Sequence, residues 1–138
     1  MGRRRDAVKN ILYAEDDPND VVIFRMAFER ATLPHSLYIV DDGQAAIDWL
    51  SGNGNYSDRE RHPCPDVLIL DLKMPKKSGF DVLEWCRGRK QFEEMCIVIL
   101  SSSDESADVK KAYALGVTTY FVKSFSYSEV IQYLRLLP

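Results

Sequence analysis

Short apolar runs alternate along the chain with stretches whose apolar residues recur every three or four positions. The runs at 11–14, 37–40, 67–70, 97–100 and 118–122 are rich in β-branched and aromatic residues and are bounded by polar or turn residues, which predicts five strands. Several of them are apolar at every position rather than at every second one. A strand carries that pattern when both of its faces are covered, as in a parallel sheet flanked by helices.

Between the runs the period lengthens. Val21, Phe24, Ala27, Phe28 and Ala31 predict a helix over 18–32, with Pro18 and Asn19 suited to its first turn and Pro34 beyond its end. Ala45, Ala46, Trp49 and Leu50 predict a second helix stopped by Gly52, and Phe80, Val82, Leu83 and Cys86 a third, with Ser78 as cap and Gly88 as stop. Asp104 is placed to cap a fourth helix that ends before Gly116, and Tyr127, Val130, Ile131, Leu134 and Leu137 mark a fifth. Strand and helix thus alternate five times. The expected fold is α/β: a flavodoxin-like, doubly wound sheet of five parallel strands in the order 2-1-3-4-5, with five helices. The segment 51–65, containing Gly52, Asn53, Gly54, Asn55, Pro63 and Pro65, reads as a long polar loop.

Composition narrows the function classes. The 138 residues suffice for one domain, expected over 9–138 behind a basic tail at 1–8; at 46% hydrophobic and 28% charged the chain is neither disordered nor fibrous. A formal charge of -3 argues against nucleic-acid binding, and Arg3, Arg4 and Arg5 read as a solvated tail. Cys64, Cys86 and Cys96 are odd in number and share no C-x-x-C spacing, and no secretory signal or membrane-length apolar run is present, so a cytoplasmic location is expected. His62 and Cys64 lack the second pair that a structural zinc site needs.

The polar residues at the strand ends carry the candidate chemistry, because open α/β sheets bind ligands outside the carboxyl ends of their strands. Glu15, Asp16 and Asp17 follow the first strand, Asp71 the third, Ser101, Ser102 and Ser103 the fourth, and Lys123 the fifth. Asp17 is also suited to cap the first helix. Asp71 stands between an apolar run and Leu72, where a carboxylate without a cation or donor nearby is costly to bury. Gathered carboxylates repel unless a cation joins them, and hard oxygen ligands with open positions suit Mg²⁺ better than Ca²⁺, whose twelve-residue loop is missing. Lys123 and Ser101 across from such a metal complete a site for a phosphoryl group, with Asp71 as the nucleophile toward phosphorus.

The pattern resembles a response-regulator receiver domain over nearly the whole chain. It has Glu15-Asp16 after strand one, Asp71 within 70–75 (LDLKMP), Gly79, Ser101 and Lys123 in order. The resemblance implies that Asp71 accepts a phosphoryl group from a sensor histidine kinase or phosphotransfer protein. It implies that Asp16 ligates Mg²⁺ directly and Glu15 through water, and that Ser101 and Tyr120 form a switch, the hydroxyl moving to the phosphate as the aromatic ring turns inward. The loop 51–65 and the first helix, with Asp20, Arg25, Phe28 and Arg30, resemble the subgroup that pairs with bacterial phytochrome kinases. In that family single domains signal through protein contacts, and exposed aromatics among Phe121, Phe125, Tyr127 and Tyr133 would favour a homodimer or partner surface.

Three positions depart from the family's usual residues. Ser124 stands where Pro usually follows the lysine, so the bond before it is expected either trans with a reshaped loop or cis and strained. Ser101 replaces the commoner Thr and keeps the hydroxyl. Lys73 stands where Asn is frequent, and its ammonium is expected to pair with the phosphoryl group and slow hydrolysis. Two other classes compete with the phosphoacceptor reading: a pseudo-receiver that only binds, and an enzyme, either a flavin carrier or an Asp-nucleophile phosphatase. The intact Glu15, Asp16, Asp71, Ser101 and Lys123 oppose the first. An acidic first loop opposes a flavin, and the lack of a second carboxylate in Asp71-Leu72-Lys73 opposes a phosphatase.

Overall fold

Five parallel strands, β1 (Asn10–Ala14), β2 (Ser36–Val40), β3 (Val67–Leu70), β4 (Cys96–Ser101) and β5 (Thr119–Val122), form one sheet in the order β2-β1-β3-β4-β5. This computed structural model describes residues 8–124 and 126–138; Arg3, Arg4, Arg5 and Phe125, named above, lie outside the described residues. The fully apolar runs sit where their pattern demands: β3 is buried at every position, and β1 at every position after Asn10. The edge strand β2 is only half-buried until Val40.

Successive side chains of a strand point to opposite faces, and the core divides accordingly. Ile11, Tyr13, Val67, Ile69, Val98 and Leu100 face α1 (Pro18–Arg30) and α5 (Ser128–Arg135), packing with Phe24, Phe28, Val130, Ile131 and Leu134. Leu12, Ala14, Leu68, Leu70, Ile97 and Ile99 face α2 (Gly43–Ser51), α3 (Gly79–Cys86) and α4 (Ser106–Ala114). Two helices on one face and three on the other is the expected doubly wound arrangement.

The helix boundaries follow local chemistry, with some departures from the sequence pattern. Asp17 caps α1 by accepting hydrogen bonds from the amides of Asn19 and Asp20, and Ser78 and Asp81 form a capping box on α3. The first helix stops at Arg30, because Thr32 adopts a left-handed φ of 48°. The second begins at Gly43, ahead of its first apolar residue, because Asp42 accepts from the Ala45 amide. Asp104 does not cap α4. Glu105 holds that position without a side-chain bond, while Ser103 Oγ accepts from the Glu105 amide at 3.3 Å and donates to Asp108 at 2.6 Å. Leu137 lies beyond the end of α5.

The loop 51–65 is more ordered than its composition suggests. It contains a short 3-10 turn, Gly54–Tyr56, and is pinned by Arg59, whose guanidinium donates to the carbonyls of Trp49 (2.7 Å), Leu50 (3.2 Å) and Tyr56 (3.3 Å). His62 stands edge-on to Trp49 and Tyr56 and is a packing residue, not a ligand.

Close backbone approaches fix the start of α3. Gly79 donates its amide to the Leu72 carbonyl at 2.9 Å, and a Cβ there would run into the carbonyl of Asp71 and lie 2.9 Å from Leu72 Cα. Gly79→Ala is therefore expected to lower unfolding free energy by about 1–3 kcal/mol, through a shift of the Asp71–Leu72 backbone. A urea titration of the variant against the parent checks it; equal midpoints would mean the loop gives way freely.

Candidate functional site

The sheet ladder does not stop at the strand ends, and its last rungs place the charged residues. Backbone hydrogen bonds run from Glu15 N to the Val40 carbonyl (3.0 Å), from Asp71 N to Ala14 (3.1 Å) and from Lys123 N to Ser101 (2.8 Å). Glu15, Asp71 and Lys123 are therefore each the continuation of a strand, positioned by the pairing of its neighbours.

Lys123 is the hub. Its Nζ lies 2.7 Å from Glu15 Oε1, 2.8 Å from Asp20 Oδ2 and 3.2 Å from Asp71 Oδ2. It donates to Asp20 and Asp71 and is ion-paired with Glu15. Burial disfavours the Lys123 ammonium, but its bonds to Asp20 and Glu15 and the charge of Asp71 outweigh that and raise its pKa above the usual lysine value. Glu15 is almost wholly buried and is held as well by the Tyr13 hydroxyl (3.1 Å) and the Asp17 amide (3.1 Å). Burial still pushes its carboxyl pKa up, and the like charge of Asp71 adds to the push while the Lys123 and Asp17 bonds oppose it. Asp71 is buried at 7% exposure beside Lys123, which supplies the cation that a carboxylate at that depth requires.

Glu15, Asp16 and Asp71 each offer a carboxylate oxygen within 4.8 Å of the others. Asp16 is exposed, and partial desolvation together with the charges of Glu15 and Asp17 raises its carboxyl pKa. Three crowded carboxylates, one open to water, fit a hard divalent cation: it relieves their repulsion and leaves positions for other oxygen ligands.

Ser101 closes β4 and is buried at 1% exposure. Its Oγ accepts from the Ser103 amide at 3.2 Å. The Tyr120 ring packs half-buried on the core, and its hydroxyl donates to the Ser103 carbonyl at 2.8 Å. Ser103 thus links the two residues expected to form the switch.

Glu15, Asp16, Asp71 and Lys123 are brought together as a group, while Ser101 and Tyr120 sit at its rim around the β4–α4 loop. The sequence places Ser103 among the polar residues after β4 without giving it a role, and does not point to Asp20 or Tyr13 as members. Asp20 stands in the first turn of α1, where an acidic residue is ordinary, so the sequence gives no sign of its role. The Lys123–Ser124 bond is trans. Lys73 is exposed and forms no ion pair among the described residues. Of the aromatics near α5 among the described residues, Tyr127 is core at 3% exposure, while Phe121 and Tyr133 are half-buried against that core and meet edge-on at 5.6 Å.

Comparison with known proteins gives a consistent assignment. The family model for the response regulator receiver domain matches residues 11–135. Response regulator Rcp1 of Synechocystis sp. is 33% identical over 124 residues, covering 90% of this chain and 82% of that protein. The crystal structure of the phosphorylated cyanobacterial phytochrome response regulator RcpA superposes with a TM-score of 0.81 at 32% identity, covering 94% of this chain and 90% of the other. The Mn²⁺-bound form of response regulator Rcp1 does so with a TM-score of 0.79 at 31% identity, covering 92% and 89%.

Asp16→Asn is expected to raise the metal-free melting temperature, because it removes one of three crowded charges. The difference should widen as pH rises. Folding raises the pKa of Asp16, so the folded chain holds that proton more tightly than the unfolded chain, and the stability it contributes is present in acid and lost as pH climbs through the folded value. Thermal melts of parent and variant from about pH 4 to pH 8 check this; a difference that shrinks with rising pH contradicts it. Added Mg²⁺ should stabilise the parent by mass action and leave the variant nearly unmoved.

Proposed function

The chain belongs to the response regulator receiver family, and on that footing we propose that it is a single-domain regulator of a two-component phosphorelay, with Asp71 as phosphoacceptor. The observation that carries the reading is the placement of Asp71: a buried carboxylate at the end of the central strand, 3.2 Å from the Lys123 ammonium and grouped with Glu15 and Asp16.

An Asp71 carboxylate oxygen attacks the phosphorus of a phosphohistidine on a sensor histidine kinase or phosphotransfer protein. The new O–P bond forms as the P–N bond breaks, with the electron pair returning to the imidazole nitrogen, which takes up a proton. Lys123 neutralises phosphoryl oxygens, and the Ser101 hydroxyl donates to one of them. Glu15, Asp16 and Asp71 would hold Mg²⁺, which when bound would supply further positive charge to the phosphoryl oxygens. Attack of water on the phosphorus, breaking the Asp71 O–P bond, returning the electron pair to the carboxylate and releasing inorganic phosphate, makes the domain a participant in its own dephosphorylation, without making it an enzyme on other substrates.

The signal leaves through the β4–α4 loop. Ser101 moving toward the phosphoryl group releases the Ser103 amide, and Ser103 carries both the Tyr120 hydroxyl and the Asp108 contact. Phosphorylation then shifts the population of loop conformations rather than creating a new one. The output is a protein contact, with a downstream protein or a second copy of the chain. The match to Rcp1 and the phytochrome regulator RcpA supports a phytochrome-type kinase as the donor. Among the described residues no helix is long and apolar enough to cross a membrane, which agrees with a cytoplasmic place for this exchange.

Incubation with Mg²⁺ and acetyl phosphate should add the mass of one phosphoryl group to the parent and none to Asp71→Asn. An unmodified parent that is folded, or an equally modified variant, contradicts the assignment. Lys73→Asn should lose its phosphoryl group faster than the parent, by about two- to tenfold, if the exposed ammonium shields the acyl phosphate from water; the decay of the modified mass after donor removal measures this.

A further inference from the structure

Lys123 has more partners than a phosphoacceptor site needs. Glu15 and Asp71 already flank its ammonium, yet Asp20 reaches it across 103 residues of chain at 2.8 Å, from the first turn of α1. The ammonium is then crowded by three carboxylates, hydrogen-bonded to Asp20 and Asp71 and 2.7 Å from Glu15 Oε1, so a phosphoryl oxygen on Asp71 must compete with them for it. The contact that yields is the one most cheaply surrendered.

The three contacts differ in how easily they are surrendered. Glu15 has a side chain at 0% exposure and two further donors in Tyr13 and Asp17, and moving it would leave a buried charge unpaired. Asp71 is the group being modified and stays in place. Asp20 is different. Its side chain is 28% exposed, Lys123 is its one side-chain partner among the described residues, and it borders a cleft of about 510 Å³ lined by Asp20, Ile23, Lys123, Ser124 and Tyr127. Water can solvate its carboxylate as soon as Lys123 lets go.

We propose that Asp20 is the displaceable counter-ion of Lys123: it holds the ammonium while Asp71 is unmodified, and it gives up that contact to the phosphoryl group. Asp20 is a positioning residue acting through Lys123, and the proposal rests on the reading of Asp71 as phosphoacceptor. Two consequences follow from the geometry. The charge of Asp20 opposes phosphoryl binding, since its bond to Lys123 is lost on modification. Modification also frees the first turn of α1, so the state of Asp71 is felt on the α1 side of the sheet as well as at the β4–α4 loop.

The test uses beryllofluoride, a phosphoryl mimic, with saturating Mg²⁺ on the parent, Asp20→Asn and Asp20→Glu, read by backbone amide NMR shifts, with thermal melts confirming that each protein is folded. Asp20→Asn keeps the shape and removes the charge; it should bind about three- to tenfold more tightly than the parent. Asp20→Glu keeps the charge and should stay within about twofold of the parent. In the parent, the amides of Asp20 and Val21 should shift on binding, and in Asp20→Asn much less, a response that a purely structural role at the helix start does not produce. Affinity unchanged or weakened in Asp20→Asn, or tightened equally in both variants, overturns the proposal while leaving Asp71 intact as acceptor. A folded parent that ignores beryllofluoride overturns the Asp71 reading, and this proposal with it.

Discussion

The ammonium of Lys123, set among the carboxylates of Glu15, Asp20 and Asp71, is the contact on which both the site and the strand ends depend. Without it the parallel sheet would deliver acidic side chains to one edge with nothing to balance them. Breaking such a buried ion group by removing one partner generally costs about 3–5 kcal/mol, because the charges left behind cannot reach water. The same arrangement that makes the cluster tolerable makes it reactive. Repulsion among Glu15, Asp16 and Asp71 is only partly relieved by one lysine, and the remaining negative potential suits a divalent cation.

The two faces of the sheet divide the labour. Helices α1 and α5 cover the face behind Ile11, Tyr13 and Leu100, and from it come Tyr13 and Asp20, which hold Glu15 and Lys123 in register. Helices α2, α3 and α4 cover the other face, where Gly79 lets the backbone after Asp71 fold tightly and Tyr120 leans on the core beneath the β4–α4 loop. The charged cluster is rigid because strand pairing continues one residue into it. The loop that Ser103 anchors is held by a few hydrogen bonds, from the Ser103 amide to Ser101 and from the Glu105 amide to Ser103, rather than by strand pairing.

Much of this was legible in the sequence because it rests on local rules. Short continuous apolar runs and period-3.6 patterns located five strands and five helices, and the placement of polar residues after apolar runs brought Glu15, Asp16, Asp71 and Lys123 to one edge once the strand order was set. What escaped the sequence was tertiary. The Asp20–Lys123 bond joins residues far apart in the chain, and nothing around Asp20 separates it from an ordinary acidic residue in a helix's first turn. Asp104 looks like a cap, but α4 starts with Glu105 at the cap position and no side-chain cap, while Ser103 braces the loop ahead of it by accepting from the Glu105 amide and donating to Asp108. Tyr127 reads as a candidate surface aromatic, yet its ring stacks on Phe24 at 5.5 Å inside the core, a pairing that only the packing of α1 against α5 decides.

The central claim is that the sheet presents one carboxylate, that of Asp71, to phosphorus. Reductive trapping of the acyl phosphate with borohydride after incubation with Mg²⁺ and acetyl phosphate, followed by peptide mass spectrometry, tests it most directly. The account predicts the reduced residue at Asp71 alone, whereas a trapped residue at Glu15, Asp16 or Asp20, or none in a folded and modified sample, would contradict it.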